Sequence, residues 1–136
     1  MAIPESQLVD LVARALRARA RAYAPYSRYT VGAALLAESG AIYEGVNVEN
    51  AAYPVGICAE RTAVFKAVSE GERKFTALAV TTENGGPPCG ACRQVLSEFG
   101  LATIVLIADR EGKILRRTTV GELLPNSFGP SDLKGG

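Results

Sequence analysis

Cys89 and Cys92 form a C-x-x-C pair directly behind Pro87 and Pro88, at the start of a segment with helical character. At i and i+3 in the first turn of a helix, two sulfurs share one face and lie beside backbone N–H groups that have no intrahelical partner. A helix N-terminus carries partial positive charge, which lowers a thiol pKa, and paired thiolates at this spacing suit zinc. Cys58 opens a second helical segment. It supplies a third sulfur if the two helix starts converge at the carboxyl edges of neighbouring strands, where crevices commonly hold ligands. The plainer reading makes Cys58 a small buried residue and the C-x-x-C a redox pair, since free cysteine is often buried and a lone C-x-x-C is common.

The chain contains no histidine. Ser-His-Asp and Cys-His triads are therefore excluded, and proton transfer falls to Cys, Asp, Glu, Lys, Tyr or water. A structural zinc is normally closed by four protein ligands, so with three cysteines the fourth position goes to a carboxylate or to water, and water makes the site catalytic. Glu60 stands two residues after Cys58, where its carboxylate can reach a metal-bound water. Its other reading is a helix-dipole partner or cap, worth about 0.3–1 kcal/mol. Three thiolates leave a divalent ion with excess negative charge and weaken it as a Lewis acid. Arg61 and Arg93 are the candidates to offset this by donating to the sulfurs, and Arg61 is preferred because it shares a turn with Cys58.

The elements that must position these residues follow from hydrophobic spacing. Leu8, Leu11, Val12, Ala15 and Leu16 recur at helical intervals behind Pro4, which predicts an amphipathic helix over residues 5–22 ended by Pro25. Arg14, Arg17, Arg19 and Arg21 on that helix read as a solvated face. Residues 29–36 and 42–48 are β-rich and separated by the Glu38-Ser39-Gly40 turn, hence an antiparallel hairpin. A helix over 58–69 stops at Gly71, and a buried strand follows over 75–82. Residues 84–88 hold too many breakers for regular structure, and a third helix runs over 89–99. The aliphatic strand 103–108 turns at Asp109-Arg110-Glu111-Gly112 into a last antiparallel strand, 113–118. A short helical stretch at Glu122 precedes an irregular tail. The order gives an α/β chain with a mixed five-stranded sheet and helices on both faces.

Composition narrows the function classes. At 136 residues, with 48% hydrophobic residues, the chain matches one globular domain, residues 1–136. Fifteen Lys and Arg against fourteen Asp and Glu leave a formal charge of +1, too little for a broad phosphate-binding footprint, so no nucleic-acid partner is expected. The longest apolar run, 104–108, is far short of the ~20 residues that span a bilayer, so no membrane partner is expected either. The first ten residues lack a basic segment followed by an apolar stretch, and three cysteines do not form an even disulfide framework; both point to the cytoplasm.

The segments Cys58-Ala59-Glu60-Arg61 and Pro88-Cys89-Gly90-Ala91-Cys92-Arg93-Gln94 together resemble the zinc-dependent cytidine deaminases, in the short-chain class whose members form homotetramers. Ala24-Pro25-Tyr26-Ser27, Val31-Gly32-Ala33-Ala34, Asn47-Val48-Glu49-Asn50 and Leu123-Leu124-Pro125 are similar to that family's other blocks and stand in the family's order. The likeness covers nearly the whole chain. It implies a three-layer α/β/α sandwich around the five-stranded sheet.

The resemblance also implies roles. Cys58, Cys89 and Cys92 bind Zn2+, and Glu60 shuttles protons. Asn47 and Glu49 match positions that hydrogen-bond the ribose 3′-hydroxyl, and the Ala59 backbone meets the pyrimidine edge. Tyr29 stands where the family usually has Phe stacked on the base, so its hydroxyl needs a polar partner or water. Phe128 matches an aromatic that closes a neighbouring subunit's site in a homotetramer, and the apolar stretch 51–57 exceeds what one crevice wall needs. The loop 84–88 is short for the family. The implied reaction is hydrolytic deamination of cytidine and deoxycytidine to uridine and deoxyuridine, as in pyrimidine salvage, by attack of zinc-bound hydroxide at C4 with loss of ammonia. Rival readings are a deaminase of another aminated heterocycle, a non-catalytic zinc module with Glu60 as fourth ligand, and a polynucleotide-editing enzyme. Asn47 and Glu49 argue against the first, and the lack of a basic channel against the last.

Overall fold

Two glycines set how closely the helices lie on the sheet. A Cβ at Gly32 would stand 2.0 Å from the Ala15 carbonyl oxygen, and one at Gly45 would stand 2.4 Å from the Ala59 carbonyl oxygen and 2.5 Å from the Ala63 nitrogen. Only a residue without a side chain lets backbone approach backbone this closely. In the computed structural model, which describes residues 3–133, these contacts seat one helix on each face of a five-stranded sheet.

The strands are β1 (Gly32–Ala37), β2 (Ile42–Val46), β3 (Phe75–Thr81), β4 (Ile104–Ala108) and β5 (Ile114–Thr119), ordered β2-β1-β3-β4-β5. β3 and β4 run parallel, and every other neighbouring pair is antiparallel. Helix α1 (Glu5–Ala18) lays Leu8, Leu11, Val12 and Ala15 on Ala34, Leu36, Ala77, Ala79, Leu106 and Ala108. Each fully buried leucine there contributes about 1.5–3 kcal/mol. The opposite face, with Ala33, Leu35, Leu78, Val80, Val105 and Ile107, is covered by α2 (Ala59–Ser69), α3 (Gly90–Ser97) and α4 (Val120–Leu123). A last turn of helix, α5, spans Pro130–Leu133. The result is the expected three-layer sandwich. No helix among the described residues is long and apolar enough to cross a membrane.

Strand direction gathers the functional segments. Gly32 pairs with both Val46 and Thr81. The amino end of β1, the carboxyl end of β2 and the carboxyl end of β3 therefore share one edge of the sheet. Residues 29–31, 47–49 and 82–88 all emerge there, and the start of α2 is drawn to the same edge by the Thr62 hydroxyl, which donates to the Val46 carbonyl at 3.0 Å.

Several boundaries differ from the sequence reading. The first helix ends at Ala18 and tightens into a 3-10 turn at Arg19–Arg21 instead of running to residue 22. The Arg19 side chain leaves that turn to donate to the Thr30 carbonyl at 3.0 Å. β1 begins at Gly32, not 29, because the Tyr29 carbonyl and Val31 N–H bond to the Asn47 side chain and not to a strand. β2 ends at Val46; Val48 instead forms isolated bridges with Tyr23 and Ile57. Thr103 lies outside β4 and spends its hydroxyl on the Phe75 carbonyl at 3.0 Å. The third helix closes at Ser97, two residues short of the expected end, and Gly100 follows with φ of +134°.

Candidate active site

Cys58 is the cap residue of α2 and Cys89 that of α3, with Cys92 one turn further along α3. The crossing of these helix starts brings all three Sγ atoms within 4.8 Å of one another. Cys58 and Cys89 sulfurs are 3.8 Å apart, and Cys89 and Cys92 sulfurs 3.4 Å. Four ligands arranged tetrahedrally at a Zn–S distance of about 2.3 Å place sulfurs about 3.8 Å apart, so this donor set fits zinc. Among the described residues the cluster offers three ligand atoms and no fourth.

Charge at the cluster favours thiolate at Cys58. The Cys58 thiol is pulled down to about 5 by hydrogen bonding from Cys92, against the upward push of burial and with help from the Arg61 guanidinium. Cys92 moves the other way, raised because it donates to Cys58 and because it is buried. Arg61 Nη2 lies 3.5 Å from Cys58 Sγ. Its Nε is buried with no partner among the described residues, so the side chain is committed to this location by charge and not by a full set of hydrogen bonds. Arg93 turns away from the sulfurs and donates to the Pro88 carbonyl at 2.8 Å and the Leu123 carbonyl at 2.9 Å.

Glu60, in the first turn of α2, is only 4% exposed. Burial pushes its carboxyl up to about 7, with the Cys58 charge adding to the rise. A carboxyl in that range can both take and give a proton near neutrality. Glu60, Cys58, Cys89 and Arg61 line the floor of one cleft of about 680 Å³, a size that suits a small heterocyclic ligand.

The cleft walls come from the shared sheet edge. Tyr29, Val31, Asn47, Glu49, Ile57 and Gly86 are among the residues that line it. Asn47 is a clamp: its Oδ1 accepts the Val31 N–H at 2.9 Å and its Nδ2 donates to the Tyr29 carbonyl at 2.9 Å. One Oε of Glu49 accepts the Tyr26 N–H at 3.0 Å and the Ser27 N–H at 3.1 Å, and the other accepts the Ser27 hydroxyl. These donors, the Ser27 hydroxyl foremost, hold the Glu49 carboxyl below its ordinary value. The turn that aims them passes through Arg28 at φ of +58°, in the left-handed region.

The family model for the cytidine and deoxycytidylate deaminase zinc-binding region matches residues 5–108. The chain belongs to this deaminase family. It is 54% identical over 126 residues to a cytidine deaminase of Sporosarcina psychrophila, covering 90% of this chain and 92% of that protein. It is 41% identical over 133 residues to a cytidine deaminase of Mycobacterium tuberculosis, covering 96% of each. The crystal structure of cytidine deaminase from Burkholderia pseudomallei superimposes with a TM-score of 0.84 at 45% identity, over 93% of this chain and all of that one. The zinc-binding region includes Cys58, Cys89 and Cys92, and zinc is this family's metal.

Two of the expected contact residues, Ala59 and Phe128, are not among those that line the cleft. Ala59 is fully buried between Cys58 and Glu60. Phe128 is 59% exposed, and its carbonyl accepts from Gln94 Nε2 at 2.9 Å. Sequence reasoning also missed several residues. Ser27 supports Glu49, Thr82 ties down Gly86, and Asn84 receives the Tyr29 hydroxyl at 2.7 Å. Nothing periodic marks these residues; the one available signal was that a tyrosine lining a pocket needs a polar partner.

Proposed function

We propose that this chain catalyses the hydrolytic deamination of cytidine and deoxycytidine, releasing uridine or deoxyuridine and ammonia. One observation carries the reading: a buried carboxylate shares its cleft with Cys58 and Cys89, whose sulfurs converge with that of Cys92, and among the described residues no fourth ligand atom joins them. Cys58, Cys89 and Cys92 would hold the zinc ion. When bound, the ion supplies Lewis acidity that lowers the pKa of water toward neutrality.

Glu60 takes one proton from the attacking water and gives it to N3 as C4 becomes tetrahedral, then takes the second from the new C4 hydroxyl and passes it to the departing amine as the C4 carbonyl forms. Burial keeps bulk water from competing for that proton. Arg61 draws charge from the Cys58 sulfur and so offsets the electron richness of three thiolates. Asn47 and Glu49 receive the ribose 3′-hydroxyl, held in place by the backbone groups that already occupy part of their bonding capacity. Leaving those polar groups unpaired costs about 1–3 kcal/mol each, which favours nucleosides over free cytosine. The Tyr29 ring stacks on the base, and the Ala59 backbone faces the pyrimidine edge. Residues 1–136 act as one catalytic domain in the cytoplasm, in pyrimidine salvage. The exposed Tyr53, Val55 and Phe128 support a homotetramer in which Phe128 closes a neighbour's cleft.

Loss of cytidine absorbance, followed together with bound zinc per chain, tests this directly. Glu60→Gln is expected to keep zinc and to lose about 10²–10⁴-fold in kcat. Loss of zinc from that variant would make Glu60 a ligand and the site a closed structural one. Brisk turnover of free cytosine would overturn the ribose assignment, and a stable, active monomer in sedimentation would overturn the tetramer.

A further inference from the structure

Residues 82–88 lead from β3 to the Cys89 cap of α3 and form one wall of the cleft through Thr82, Gly86 and Pro87. The wall is pinned at both ends. The buried Thr82 hydroxyl accepts the Gly86 N–H at 2.8 Å, and Arg93 Nε donates to the Pro88 carbonyl at 2.8 Å. Tyr29 stands against this segment. Its N–H donates to Ser27 Oγ at 3.0 Å and its carbonyl accepts from Asn47 Nδ2 at 2.9 Å, so its backbone is fixed. The ring is not: at 37% exposure it is free to change rotamer unless its tip is held.

The tip is held from outside the cleft. The Tyr29 hydroxyl donates to Asn84 Oδ1 at 2.7 Å, and Asn84 is exposed and does not line the cleft. Gly86 makes room for this bond. A Cβ there would meet the Tyr29 hydroxyl oxygen at 2.6 Å, but would lie 3.8 Å from the ring carbon that bears it. Gly86 is not among the glycines with positive φ, so its missing side chain serves space and not backbone conformation.

We propose that the Tyr29 hydroxyl, Asn84 and Gly86 form a latch that locks the Tyr29 ring as a rigid wall for the base, so that Asn84 sets nucleoside affinity without touching the nucleoside. Asn84 and Gly86 are positioning residues, acting through Tyr29. The inference rests on the cytidine deaminase reading above. The metal ligands are outside its reach, because Arg93 holds the Pro88 side of the loop separately.

The test uses the zinc-loaded full chain with cytidine, and amide hydrogen exchange over 82–88. Asn84→Ala is expected to raise KM roughly 3–10-fold, the range set by one partly exposed hydrogen bond, with kcat and bound zinc as in the parent chain. Exchange at Gly86 should quicken by a similar factor. Asn84→Asp keeps the acceptor and should restore KM. Gly86→Ala should raise KM in the parent chain but add nothing in a Tyr29→Phe background, where the colliding oxygen is gone. A parental KM in Asn84→Ala, a loss of kcat or zinc there, or additive effects of Gly86→Ala and Tyr29→Phe would each overturn the latch. A parent chain that binds zinc yet leaves cytidine untouched would sink the functional reading instead. The latch then stands or falls on whether Asn84→Ala still speeds exchange at Gly86.

Discussion

Helix α1 covers one face of the sheet and the α2–α3 pair covers the other, and the two layers meet the strands on different terms. Under α1 the contact is entirely aliphatic, with leucines and alanines of the helix set on alanines and leucines of the strands. The helix keeps its polar groups on its outer side, where Arg14, joined by Arg21 from the 3-10 turn that follows, donates to Glu44 at the edge of the sheet. The α2–α3 layer also buries alanine, valine and leucine, but its helices begin with the reactive residues: Glu60 and Cys92 are buried, Cys58 is half-buried and Cys89 is exposed at the cleft. Both faces carry an aliphatic core, and only the α2–α3 layer combines that packing with reactive groups. The reactive groups occupy helix starts, where unpaired N–H groups tolerate anions and where local order does not depend on side-chain packing.

That division makes the two layers separable by experiment, most sharply at the sulfurs. Cys89→Ser is expected to release zinc and lower deamination by more than about 10³-fold, since several kcal/mol of charge stabilisation leave with the ion. The denaturation midpoint should move little by comparison, because the aliphatic packing on both faces of the sheet stays intact. A chain that unfolds when Cys89 is replaced would show the two layers to be one cooperative unit. The converse substitution, Leu11→Ala, should cost about 2–5 kcal/mol in a denaturant titration and leave the KM for cytidine unchanged. A shift in KM there would mean that strain crosses the sheet.

The smallest effect lies at the outer rim of α1. Burial works to raise the Glu44 carboxyl, but the Arg21 and Arg14 hydrogen bonds outweigh it and leave the group below its ordinary value of 4.5. A depressed carboxyl stabilises the fold above its unfolded pKa, and that stability is lost as pH falls through the folded value. Glu44→Gln should therefore remove a part of the acid sensitivity worth no more than about 1 kcal/mol, read from midpoints near pH 7 and near pH 3. Equal acid sensitivity in both chains would assign the pairs no stabilising role.

What the sequence revealed follows the same division. The α1 stripe, the hairpin and the aliphatic strands carry period-3.6 or period-2 patterns, and the structure has all of them. The cysteine spacings were legible because two residue types at fixed offsets suffice to define a metal corner. The cleft walls were not. The Asn47 clamp spans 16 and 18 residues of chain, the Glu49 turn 22 and 23, and the Tyr29–Asn84 bond 55, so none leaves a local pattern. The turn at Arg28 adopts a left-handed φ of +58° without a glycine to announce it. The helix over 5–22 was overextended for a related reason: alanine and arginine favour helix through residue 21, but Arg19 spends its guanidinium on Thr30 and Glu83.

Gly45 carries no functional group and lies on the strand at the rim of the sheet, yet the first turn of α2 rests directly on its α-carbon. A single methyl group at that position would have to lift the amino end of the helix, and with it the ligand at 58 and the acid at 60. The placement of the reaction centre is therefore written partly in a hydrogen atom that touches no reacting group. Redesigning the pocket without respecting that seat would detune the catalyst before touching it.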